Sequence, residues 1–121
     1  MSIKVRKLNL REKQEELKHK YQEITDHYSY ERDSRDYFIK VIGEGEPIAA
    51  FEVDNNHKNG PELHFVTDNA IIIIYNAATL RLVTKLIARP GQIKRYWPDG
   101  DWPRDIVNIA FRHQIDGYND M

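Results

Sequence analysis

The chain contains five histidines, His19, His27, His57, His64 and His113, and one of them has company that suggests chemistry. His64 stands in the alternating stretch 62–67. One hairpin later comes a run, residues 69–98, that carries Arg81, Lys85, Arg89, Lys94 and Arg95 and not a single acid. Thr84 lies in the middle of that run, and Gln92 and Tyr96 lie near its end. Metal-independent cleavage of RNA uses residues of these types. A histidine moves a hydroxyl proton near neutral pH. Cations hold the scissile phosphate and meet the charge that builds on its oxygens. An aromatic ring stacks a splayed base.

Other chemistries find less support. No two histidines stand at i,i+3 or i,i+4, and there is no cysteine, so neither a zinc site nor a thiol nucleophile nor a disulfide is expected. No phosphate-binding glycine loop, dinucleotide glycine motif, HExxH or Gly-x-Ser-x-Gly occurs. No metal and no cofactor are expected.

The net charge of −1 hides an uneven distribution. Residues 1–24 carry seven Lys/Arg against four Asp/Glu, and residues 25–68 carry four against ten. After the basic run, residues 99–121 carry two against five. If the basic block shares a face, it attracts phosphates; the competing reading is that acidic neighbours pair with it in the fold. No apolar leader follows Met1, and the longest apolar run, 70–75, is too short for a bilayer, so the expected location is cytoplasmic.

The elements that must position these residues follow from periodicity. At 121 residues the chain suits one domain, 1–121. Asn9 is an N-cap with Glu12 three residues on, and Leu10, Leu17, Tyr21, Ile24 and Tyr28 make one narrow apolar stripe, which predicts an amphipathic helix over 10–28. Strands are expected at 37–42, 47–53, 62–67, 70–75 and 80–88, with turns between them. The four isoleucines of 71–74 suit a strand covered on both faces. Regular alternation over 80–88 sets Arg81, Lys85 and Arg89 on one face and Thr84 on the other. Residues 92–97 read as a short last strand or an extended tail. A final short helix is capped at Asp101 or Trp102, has Pro103 in its first turn and ends at Gly117. The fold class is therefore α+β: an N-terminal amphipathic helix, an antiparallel β-meander of four to five strands, and a short C-terminal helix, with the helices covering one face.

Residues 64–96, the strand–turn–strand pattern that runs from His64 through Leu82-Val83-Thr84 to Tyr96, resemble the C-terminal meander of the barnase–EndoU–colicin–RelE type nucleases. These metal-independent ribonucleases are common in toxins, phages and other mobile elements. The resemblance implies a bacterial or phage context, with His64 as acid/base and Arg81, Thr84 and Arg89 at the phosphate. Lys85, Gln92, Lys94, Arg95 and Tyr96 complete an RNA-binding surface. Two alternatives stand beside it. One is a non-catalytic module that binds a partner protein through the acidic region 26–68 or the N-terminal helix. The other is a regulatory homo-oligomer joined through a sheet edge or the Leu10/Leu17/Ile24 stripe.

Overall fold

A computed structural model describes residues 3–17, 34–54 and 60–118. Five strands form one sheet in the order β1 (Lys4–Leu8), β2 (Pro47–Asp54), β3 (Glu62–Thr67), β4 (Ile71–Asn76) and β5 (Leu82–Ile87), every neighbour antiparallel. Helix α1 (residues 10–17) follows β1, and α2 (Ser34–Ile42) precedes β2. Helices α3 (Pro90–Tyr96) and α4 (Arg104–Ile115) follow β5. The α+β class, the antiparallel sheet and the helices near both ends are as the sequence implies. The expected cap is also in place, with Asn9 Oδ1 accepting from the Glu12 N–H at 3.0 Å. The extension of the first helix to residue 28, including Tyr21, Ile24 and Tyr28, lies outside the described residues, as does most of the turn expected over 54–61.

Three elements differ from the sequence reading. Residues 37–42, expected as a strand, lie in α2. Phe38, Ile39 and Ile42 pack inward at helical spacing while Tyr37 and Val41 face out, and Gly43 closes the helix at φ +92° with its N–H on the Ile39 carbonyl. Residues 92–97 are not a strand or an extended tail; all but Trp97 belong to α3. Pro90 starts α3, the Gln92 side chain accepts from the Arg89 N–H at 2.8 Å, and Ile93 and Tyr96 point into the core. The fifth strand is instead β1, five N-terminal residues that add to the edge of β2. Helix α4 is also capped at Pro103 rather than at Asp101 or Trp102.

The helices cover both faces of the sheet, not one. Helices α3 and α4 enclose Ala49, Phe51, Val53, Val66, Ile72 and Ile74 against Ile93, Tyr96, Trp97, Ile106 and Ala110. On the other face, Leu10 and Leu17 of α1 and Phe38, Ile39 and Ile42 of α2 cover Ala50, Leu63, Phe65, Ile71 and Ile73. The cause is in the strands themselves. Leu63, Phe65 and Val66 in β3 and every residue of 71–75 in β4 are apolar, so the inner strands present two faces that must leave water.

The loop after α2 is clasped to the β3–β4 turn. Thr67, fully buried, donates its hydroxyl to the Glu44 carbonyl at 2.7 Å and accepts from the Ile71 N–H at 3.1 Å. Asn69 Nδ2 donates to the Ile42 carbonyl at 3.0 Å, and Asp68 Oδ1 accepts from the Glu46 N–H at 2.9 Å. This clasp closes one end of the sheet, and the residues with chemical potential gather at the other.

Candidate functional site

On β3 the side chains of Leu63 and Phe65 belong to the α1/α2 face, so alternation sets Glu62, His64 and Val66 on the α3/α4 face. His64 is 7% exposed and bonded at both ring nitrogens. Its Nδ1 is 2.7 Å from the Tyr96 hydroxyl, and its Nε2 is 3.0 Å from Glu62 Oε1. The Tyr96 ring is held by packing on Phe51, at a centroid distance of 4.9 Å, and by an edge contact with Trp97. Burial pushes the Tyr96 phenol far up, Arg95 lowers it and Glu62 raises it. The phenol therefore keeps its proton and acts as a donor. Burial also holds the His64 imidazole below its ordinary value; the hydrogen bond to Glu62 and its charge work upward, and Arg95 works downward. His64 is thus neutral at physiological pH.

The donor inventory then fixes the protons. A carboxylate only accepts, so the proton of the neutral ring lies on Nε2 and is donated to Glu62. Nδ1 accepts from the Tyr96 O–H. The result is a directed chain, Tyr96 to His64 to Glu62, whose inner end is sheltered and whose outer end is a carboxylate with 22% of its side chain exposed.

A register change in β5 brings Arg81 to the same face. Ile74 pairs with Thr84, but Tyr75 pairs with Leu82, so Val83 is an extra residue that reverses the alternation. Leu82 packs on the α1/α2 face and Thr84 lies opposite Ile74 on the α3/α4 face. The next step of the register sets Asn76 opposite Arg81, with the Asn76 N–H on the Arg81 carbonyl at 2.9 Å. Asn76 is itself opposite Glu62, so Glu62, Asn76 and Arg81 form one row across the sheet, with about 10 Å between the outer two at ordinary strand spacing. His64, Ile74 and Thr84 form the next row.

The structure therefore gathers His64, Arg81, Thr84, Arg95 and Tyr96 at one corner of the α3/α4 face. It does not bring the remaining candidates there. Lys85 lies on the opposite face, with its Nζ on Glu44 Oε1 at 2.7 Å, so the expectation that Arg81, Lys85 and Arg89 share a face is overturned by the extra residue at Val83. Arg89 is at the far end of β5, where it caps α3, and Gln92 is the side chain that accepts from its backbone. Lys94 reaches over the Trp102 ring at 5.6 Å. Tyr96 is buried, so it supports the site from within and offers no ring to a base.

Glu62 was missed by the sequence reading. The signal was present, because a carboxylate two residues before a histidine on an alternating strand shares its face. Among the described residues no group of three or more His, Asp or Glu side chains is placed to hold a metal ion, and no helix is long and apolar enough to cross a membrane. Comparison with family models, curated proteins and solved structures finds no match for this chain.

Proposed function

We propose that the domain is RNA-directed and acts as a metal-independent ribonuclease at the Glu62–His64 corner. The observation that supports this reading is the meeting of an oriented carboxylate–imidazole pair with two exposed cations, Arg81 and Arg95, from three separate elements. His64 is enclosed and both its nitrogens are engaged, so the group that meets the substrate is Glu62. Its carboxylate takes the proton of a ribose 2′-hydroxyl, and the 2′-oxygen attacks the adjacent phosphorus. Arg81 and Arg95 face the phosphate oxygens as charge builds on them. The P–O5′ bond breaks, a 2′,3′-cyclic phosphate forms, and the departing 5′-oxygen takes a proton from solvent. The test is RNA cleavage at low salt in the presence of EDTA. Wild type cleaves, Glu62→Gln does not, and Arg81→Glu/Arg95→Glu loses both cleavage and salt-sensitive binding. A wild type that neither binds nor cleaves RNA sinks the proposal.

A different observation favours a second reading. Tyr37 and Val41, one turn apart on the outer side of α2, are 64% and 55% exposed within the acidic region. They suit a non-catalytic module that binds a protein through that helix. A chain that leaves RNA intact but loses a partner on Tyr37→Glu supports this reading, and a mass near twice 14.3 kDa in solution makes the partner a second copy.

A further inference from the structure

Tyr96 sits at the inner end of the chain Tyr96–His64–Glu62, where it is buried. Its hydroxyl pairs with the nitrogen of His64 that the Glu62 carboxylate leaves without a proton. A buried imidazole that donates from Nε2 leaves a bare lone pair on Nδ1. Around that lone pair the wall is apolar: the cross-strand neighbours of His64 are Phe51 on β2 and Ile74 on β4, and the layer above them includes Ile93 and Trp97. The titratable and charged groups that act on the ring are Glu62 from its own strand and Tyr96 and Arg95 from α3. Of these, only the Tyr96 O–H meets Nδ1, at 2.7 Å. Without it, the tautomer that satisfies Glu62 leaves a buried acceptor unpaired, and the opposite tautomer sets a lone pair against the Glu62 carboxylate.

We infer that Tyr96 is a positioning residue: packed against the touching rings of Phe51 and Trp97, it holds His64 in the Nε2–H tautomer and so fixes the direction in which the Glu62 carboxylate points. The catalytic consequence rests on the ribonuclease reading above; the structural consequence does not. Rigid packing of the phenol passes through one imidazole to a carboxylate at the rim, which is how a supporting layer keeps a reacting group within the narrow tolerance that proton transfer needs.

The experiment has two arms, chosen so that the two ideas fail separately. In the first, long-range proton–nitrogen NMR reads the tautomer of His64 in the folded protein from about pH 5 to about pH 8. The wild type shows a single Nε2–H form at the upper end of that range. Tyr96→Phe keeps the ring on Phe51 and Trp97 and shows a mixture of tautomers. A wild type that carries its proton on Nδ1, or a Tyr96→Phe protein with an unchanged tautomer, overturns the inference. Should Tyr96→Phe fail to fold, Glu62→Ala removes the other partner of the ring: a tautomer that stays Nε2–H shows that the Tyr96 hydroxyl holds it, and a tautomer that shifts overturns the inference. In the second arm, cleavage by Tyr96→Phe drops in kcat by roughly ten- to a hundredfold at unchanged KM, whereas Arg81→Ala raises KM. If the wild type does not cleave RNA, the ribonuclease reading falls and the NMR arm alone decides the role of Tyr96.

Discussion

Nδ1 of His64 and the hydroxyl of Tyr96 lie 2.7 Å apart across 32 residues of sequence, and this bond joins the middle strand of the sheet to the helix laid over it. It is buried, it is the inner half of the chain that ends at Glu62, and it makes the protonation of one imidazole matter to the docking of α3.

Stability should fall in mild acid because of His64. Burial holds its folded-state pKa below the ordinary 6.5, so the unfolded chain takes up the proton first. The contribution is fully present above the unfolded value and is lost as pH falls through the folded one. The urea midpoint is expected to drop between about pH 7.5 and about pH 5, with a smaller drop in His64→Gln, whose side chain does not titrate in that window. Equal drops in the two proteins would show that His64 is not linked to folding.

Thr67→Val should be costly despite its similar shape. The hydroxyl is fully buried and serves the Glu44 carbonyl and the Ile71 N–H together. Removing it strands both, and the expected loss is about 1–3 kcal/mol in urea unfolding. A loss indistinguishable from zero would mean that the clasp between the α2–β2 loop and the β3–β4 turn contributes nothing.

Gly45→Ala tests the same clasp from the other side. Gly45 has φ +83°, and an added Cβ would meet Asp68 Oδ1 at 2.5 Å and Asn69 Cβ at 2.9 Å. Backbone strain and the forced shift together predict destabilisation of about 1–3 kcal/mol. Gly60→Ala, where φ is +85° but nothing lies within 4 Å, should cost less. Identical effects at the two sites would leave only the backbone term.

Arg81 and Lys85 should differ in RNA binding although four residues apart on what looks like one strand face. Arg81→Ala is expected to lower the slope of log K against log salt by about one, the signature of one lost phosphate contact. Lys85→Ala should leave it unchanged, because Lys85 is across the sheet on Glu44. Equal effects would place the RNA elsewhere.

Much of the fold was legible locally. The β3, β4 and β5 strands, the turns at Asp68–Asn69 and 76–79, the Asn9 cap and the final helix all rest on neighbours within a few residues. The failures are informative in the same terms. Tyr37 to Ile42 is rich in aromatic and β-branched residues, a composition that favours strands, yet Phe38, Ile39 and Ile42 bury one helical stripe on the sheet. Tertiary burial outweighed propensity there. At Pro90, a residue that ends a strand is also a good first residue for a helix, and Ile93 and Tyr96 supplied the inward face.

The sequence by itself determined the α+β class, the antiparallel strand order after residue 47, the need to cover β4 on both faces, and the presence of His64 near a cation-rich segment. Those depend on local turns and on alternation, whose physics acts within a few residues. Only the tertiary structure decided that β1 completes the sheet, that both faces carry helices, and that Glu62, His64, Arg81 and Tyr96 share one corner while Lys85 and Arg89 do not. One extra residue at Val83 reverses every side chain before it, and a hydrogen bond between β3 and α3 exists only once the core of Phe51, Trp97 and Ile74 has closed around it.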